Sequence, residues 1–137
     1  MFVTLFIGIL NVKTGELRYA NGGHVPPIFS HCDTEPACRK DLNGPVVGVI
    51  PGVTYRELTI VLKPGTAVFL CSDGVTEAMN KQEKLFGDKR VLEDFTRFRD
   101  GSCRKTVDSL LGEIRLHAGT APQSDDIAML MIKLFAI

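Results

Sequence analysis

Two strand-length apolar segments are each fused to an acidic turn, and this pairing constrains the chain more than any other feature. One runs Thr66-Ala67-Val68-Phe69-Leu70-Cys71-Ser72-Asp73-Gly74, and the other runs Ser124-Asp125-Asp126-Ile127-Ala128-Met129-Leu130-Met131-Ile132. The first strand ends in Asp-Gly; the second opens from Asp-Asp. A carboxylate fixed at the end of a core strand is a rigid oxygen ligand, and hard cations such as Mg²⁺ select oxygen ligands. Strand pairing would bring the two segments together despite their separation in sequence. The competing structural reading is that Asp73 and Asp126 only cap turns, since Asp-Gly and Asx turns are common.

The elements between and around these segments read as strands, then helices, then a strand, which indicates α+β layers. Residues 2–12 predict a first strand, Lys13-Thr14-Gly15 a turn, and Glu16 to Ala20 its hairpin partner. Asn21-Gly22-Gly23-His24 predicts a tight turn with positive φ at both glycines, followed by the extended Val25-Pro26-Pro27. Residues 31–55 lack a period and predict a long loop with at most a short strand. Further strands are expected at 56–62 and 67–72, separated by the turn signal Lys63-Pro64-Gly65.

Val91, Leu92, Phe95 and Phe98 share one helical face, with Asp88 as the expected cap and Gly101 as the stop. Val107, Leu110, Leu111 and Ile114 repeat that face in a second helix capped by Ser102 and weakened by Gly112. Residues 127–135 are almost continuously apolar and predict a central strand buried on both sides.

The chain has 137 residues, enough for one domain with a sizeable core. Sixteen basic and sixteen acidic residues cancel, so bulk charge gives no argument for nucleic acid or an anionic membrane. No apolar run reaches the roughly 18 residues that span a bilayer. Met1 to Leu10 lacks a basic start and a small-residue cleavage site, and reads as a strand rather than a leader. The four cysteines form no C-x-x-C pair, which suits a reduced, cytoplasmic compartment. Cys71 reads as a small buried hydrophobe. His31, Cys32 and Cys38 leave open a zinc-stabilised loop, although their spacing fits no standard pattern.

These motifs together resemble the SpoIIE-like (RsbU-like) branch of the metal-dependent type 2C protein phosphatases. The resemblance rests on the opening Met1-Phe2-Val3-Thr4-Leu5-Phe6 and on Gly22-Gly23-His24-Val25-Pro26-Pro27, where the family reads A-G-H-x-P-P. It continues through Gly44 to Val49, the stretch Leu62 to Ala78, Phe86-Gly87, and the closing Ser124-Asp125-Asp126-Ile127. These segments stand in register along essentially the whole chain. Ser72, Cys71, Gly22, Thr66 and Ala128 depart from the family pattern without removing a ligand.

The resemblance implies a partial α-β-β-α sandwich of antiparallel sheets flanked by helices, spanning 1–137 as a single partial domain. Its parts would be a hairpin and glycine turn over 1–30, a loop over 31–55, strands over 56–72, two helices over 88–118 and a closing strand over 126–135. The family's N-terminal G-D-x-Y-D and G-D-V-x-G-H-G segments have no counterpart here, so N-terminal strands and a helix are expected to be missing. The aspartate that bridges both metal ions in the family belongs to that part.

Asp73 and Asp125 are implied ligands of one of two Mn²⁺ or Mg²⁺ ions. In the family those ions activate a water that attacks phosphoserine or phosphothreonine in line. Asp126 is expected to cap backbone, Glu77 to act in the second shell or pair with Lys81, and His24 to order its loop. No catalytic side chain is assigned, and whether the chain is itself an enzyme stays open. The implied substrate is a phosphorylated regulatory protein such as an anti-sigma-factor antagonist. The rival is a non-catalytic protein-binding module derived from the same fold. Exposed strand edges at residues 2–10 also imply a homodimer.

Overall fold

The computed structural model describes residues 1–40 and 43–135. Its elements in chain order are β1 (Leu5–Leu10), β2 (Glu16–Gly22), β3 (Ile28–Ser30), β4 (Ala37–Cys38), β5 (Asn43–Gly44), β6 (Leu58–Val61), β7 (Ala67–Cys71), α1 (Asp73–Thr76), α2 (Asp88–Phe98), α3 (Cys103–Ala118) and β8 (Met129–Lys133). Asp41 and Leu42, inside the expected 31–55 loop, lie outside the described residues; the rest of that stretch contributes the two-residue strands β4 and β5.

The strands form two four-stranded sheets. In the first, β2 is central: β1 pairs antiparallel along one side, while β6 (antiparallel) and β5 (parallel) share the other. The hairpin register runs from Leu5 opposite Gly22 to Leu10 opposite Leu17. Its turn closes through Asn11, whose side chain accepts from the Lys13 and Thr14 amides. Gly15 sits there at φ +74°, and a Cβ at that position would meet the Leu62 carbonyl oxygen at 2.2 Å. Only glycine satisfies both the conformation and the contact.

The second sheet runs β4-β3-β7-β8, antiparallel throughout. Strand alternation then builds two cores. Leu17 and Tyr19 of β2 meet Val68 of β7 and Leu62 between the sheets. On the other face of β7, Phe69 and Cys71 pack against Val91, Phe95, Leu110 and Ile114 of α2 and α3. The layers are therefore sheet, sheet, helices, in line with the expected α+β class.

Both expected helical faces are present. Ser102 caps α3 by accepting the Lys105 amide at 3.2 Å. Thr106 Oγ1 donates to the Phe98 carbonyl, tying the end of α2 to the start of α3. The cap of α2 is Gly87 at φ 82°, not Asp88, which lies in the first turn where its charge faces the helix dipole.

Two local expectations are corrected. Of the Asn21–His24 glycines, only Gly23 has positive φ; Gly22 is the last residue of β2. The closing strand is not buried on both sides. Met131 faces the helices, but Leu130 and Ile132 are exposed, and among the described residues β8 pairs only with β7. The register pairs Ile132 with Val68 and Leu130 with Leu70, so both exposed side chains point toward the first sheet. That sheet ends at β1, which leaves an open cleft of about 320 Å³ bordered by Phe6, His24, Ser72 and Leu130. On the far side of the first sheet, Leu5, Ile7, Ile9 and Val61 form an uncovered apolar stripe.

Candidate metal centre

The pairing of β7 with β8 ends at Cys71 opposite Met129, and the two acidic turns begin where it stops. Ser72 continues the join. Its amide donates to the Ala128 carbonyl at 2.9 Å. Its hydroxyl donates to the Asp126 carbonyl and accepts the Ala128 amide, each at 2.9 Å. Ser72 is also the N-cap residue of α1, yet its side chain makes no cap bond, because the hydroxyl is used across the chain instead.

Gly74 sets the closest approach. A Cβ placed on it would lie 2.3 Å from the Asp126 carbonyl oxygen and 3.3 Å from the Asp125 carbonyl carbon. The glycine reads locally as half of a turn; in the fold it lets two backbones touch.

The structure thus sets the turn of Asp73, first residue of α1, against the turn of Asp125 before β8. Both aspartates are exposed. Asp73 accepts the Gly74 amide through Oδ1 at 3.0 Å, and Asp125 accepts the Asp126 amide through Oδ1 at 2.7 Å. Each carboxylate is oriented by one local bond, and among the described residues its other oxygen accepts no hydrogen bond. Behind them, the Asp73 carbonyl accepts from the Glu77 amide and the Thr76 hydroxyl. Asp126 takes part through its backbone carbonyl. Glu77 closes α1, and its carbonyl accepts a long 3.5 Å bond from Ser124 Oγ.

Cys71 stands directly before this turn. Burial pushes its thiol pKa up to about 12, and the charges of Asp88, Cys38 and Asp73 add to the effect. The thiol is protonated at neutral pH and fills space, as its position in an apolar strand suggests.

His24 does not join the two aspartates. The Asn21 side chain clasps it by accepting its amide at 2.8 Å and donating to its carbonyl at 3.0 Å. Its ring meets Thr4 Oγ1 at 3.3 Å, on the border of the inter-sheet cleft. The sequence did not single out Asn21, although an Asn before two glycines is a usable turn signal.

The possible zinc loop is also rearranged. Ligand atoms of His31, Cys32 and Asp33 lie within 4.8 Å of one another, and Cys38 is not part of that group. Both His31 nitrogens are engaged, Nε2 against the Pro64 carbonyl and Nδ1 with the Asp33 amide. Cys38 sits in β4 against the helical core, where burial raises its thiol pKa, Lys40 opposes and Asp88 adds.

Stacked, mainly antiparallel sheets with a helix layer match the PP2C-type phosphatase fold. The chain belongs to the Stage II sporulation protein E (SpoIIE) family, whose profile matches residues 1–135. It is 31% identical over 132 residues to Protein IcfG of Synechocystis sp., covering 96% of this chain and 20% of that protein. It is 25% identical over 138 residues to phosphoserine phosphatase RsbU of Bacillus subtilis, covering 97% of this chain and 39% of RsbU. Among solved structures, the Mn-presoaked phosphatase domain of the Bacillus subtilis cell fate determinant SpoIIE superposes with a TM-score of 0.73 at 16% identity. That match covers 96% of this chain and 56% of the solved one. The chain therefore spans well under two thirds of each relative.

Proposed function

We propose that the chain contributes one carboxylate arm of a Mn²⁺- or Mg²⁺-dependent protein serine/threonine phosphatase site, with Asp73 and Asp125 as its ligands. The observation that supports this reading is the backbone contact at Gly74, which sets the turn carrying Asp73 against the turn carrying Asp125, far along the sequence. The donor set fits a hard cation, since both groups present oxygen. A cation bound there would lower the pKa of a coordinated water and neutralise charge on a phosphoryl group. The chain's own part is to hold the carboxylates in place: Ser72 pins the turns, and the Gly74 and Asp126 amides aim the side chains.

The proposed substrate is a phosphoserine or phosphothreonine on a cytoplasmic regulatory protein such as an anti-sigma-factor antagonist. The phosphoserine phosphatase named among the relatives supports it. No helix among the described residues is long and apolar enough to cross a membrane.

A Mn²⁺ or Mg²⁺ ion held by only these two carboxylates would keep most of its waters. The isolated chain is therefore expected to give no more than trace turnover of a phosphoserine peptide with Mn²⁺. Robust turnover that disappears in Asp73→Asn would contradict the half-site reading.

The apolar stripe at Leu5, Ile7 and Ile9 and the edge of β1, unpaired among the described residues, support self-association. Light scattering after size exclusion is expected to show a dimer or larger species at micromolar concentration. A monodisperse monomer contradicts this. The same surface favours the second reading, a binding module, whose partner affinity would be unchanged by Asp73→Asn and by chelation.

A further inference from the structure

A second concavity lies beside the acidic turns. Its volume is about 160 Å³, and it is walled by α1, the last turn of α3 and the turn before β8. Gly74 and Ser124, the chain neighbours of Asp73 and Asp125, form its near wall. Ala78, Ile114, Ala118 and Ile127 make the rest largely apolar. Arg115 stands at the rim, exposed, and its guanidinium forms no ion pair or hydrogen bond among the described residues.

On the phosphatase reading, we propose that this pocket receives the apolar side chain next to the phosphorylated residue of the protein substrate, with Arg115 drawing in that anionic segment. The volume equals about five waters at roughly 30 Å³ each, the room an aliphatic side chain needs and too little for a folded surface. Gly74 and Ser124 in its wall set the pocket one residue along the chain from Asp73 and from Asp125, so a segment anchored there by its phosphate has its neighbouring residues close to the pocket. An apolar pocket beside a few fixed polar groups is how peptide-binding sites divide specificity from anchoring. The unpaired guanidinium complements a phosphorylated segment and would repel a cationic one.

The test uses the full chain with Mn²⁺ and labelled peptides carrying a non-hydrolysable phosphonate analogue of phosphoserine, flanked on both sides by leucine or by glycine. The leucine peptide is expected to bind about tenfold tighter. Ala118→Leu, which fills the pocket from a helix position, should erase that ratio without changing Mn²⁺ binding or the melting temperature. Arg115→Gln should weaken both peptides several-fold. Equal binding of the two peptides, binding of neither, or a leucine preference that survives Ala118→Leu overturns the proposal. So does an equal preference in peptides lacking the phosphonate. Mn²⁺ binding measured in parallel separates the failures. If it persists, only the pocket assignment falls; if it is absent as well, the phosphatase reading falls with it.

Discussion

Gly74→Ala is expected to abolish Mn²⁺ binding and to destabilise the fold by about 3 kcal/mol. In an open helix the same change is favourable by about 1 kcal/mol, because alanine is the better helix former. Gly74 is the second residue of α1, yet its new methyl group would lie 2.3 Å from the Asp126 carbonyl oxygen and 2.9 Å from its carbonyl carbon. Backbone cannot swing aside as a flexible side chain can, so the clash outweighs the propensity gain. The turns must separate, and the bonds from Ser72 to Asp126 and Ala128 stretch with them. Gly112→Ala is the control. It lies inside α3 with nothing within 4 Å of the added atom. It should stabilise by about 1 kcal/mol and leave metal binding alone. Thermal melts of both variants, with Mn²⁺ titrations beside them, check the pair; a Gly74→Ala protein as stable as wild type would remove the close-contact argument.

Phe95→Ala is expected to cost about 3–5 kcal/mol. Phe95 is 0% exposed, and its ring lies 5.2 Å from that of Phe69 in the second sheet. It links α2 to β7, the strand that leads into Asp73, and the loss is a large share of a typical stability of about 5–15 kcal/mol. A protein with loose tertiary packing at 37 °C is the expected outcome, read by near-ultraviolet circular dichroism and chemical denaturation. A loss below about 1 kcal/mol would mean that the helix layer is not seated on β7 as described.

Much of this was legible from local pattern. The apolar run before Asp73 marked β7, and the 3.6-residue spacing of Val91 and Phe95, then of Leu110 and Ile114, marked the buried faces of α2 and α3. Ser102 was readable as a cap from its chemistry. The failures share a cause, which is contact between residues distant in the chain. A continuous apolar run looks the same whether a strand is central or at an edge, so Leu130 and Ile132 read as buried when they are not. Ser72 had the residue type of a helix cap, but its hydroxyl serves partners 54 and 56 residues away. Gly87 took the cap position expected of Asp88 because the chain enters α2 at positive φ, which glycine adopts freely. The two aspartates were singled out by residue type; the glycine that brings their turns into contact was visible only in three dimensions.

The most direct measurement is a calorimetric Mn²⁺ titration of the wild-type chain and of the Asp73→Asn/Asp125→Asn double variant. The account predicts weak, saturable binding in the wild type that vanishes in the double variant while its melting temperature without metal stays close to wild type. Binding that survives both substitutions, or none in the wild type, would contradict a metal centre at these two carboxylates.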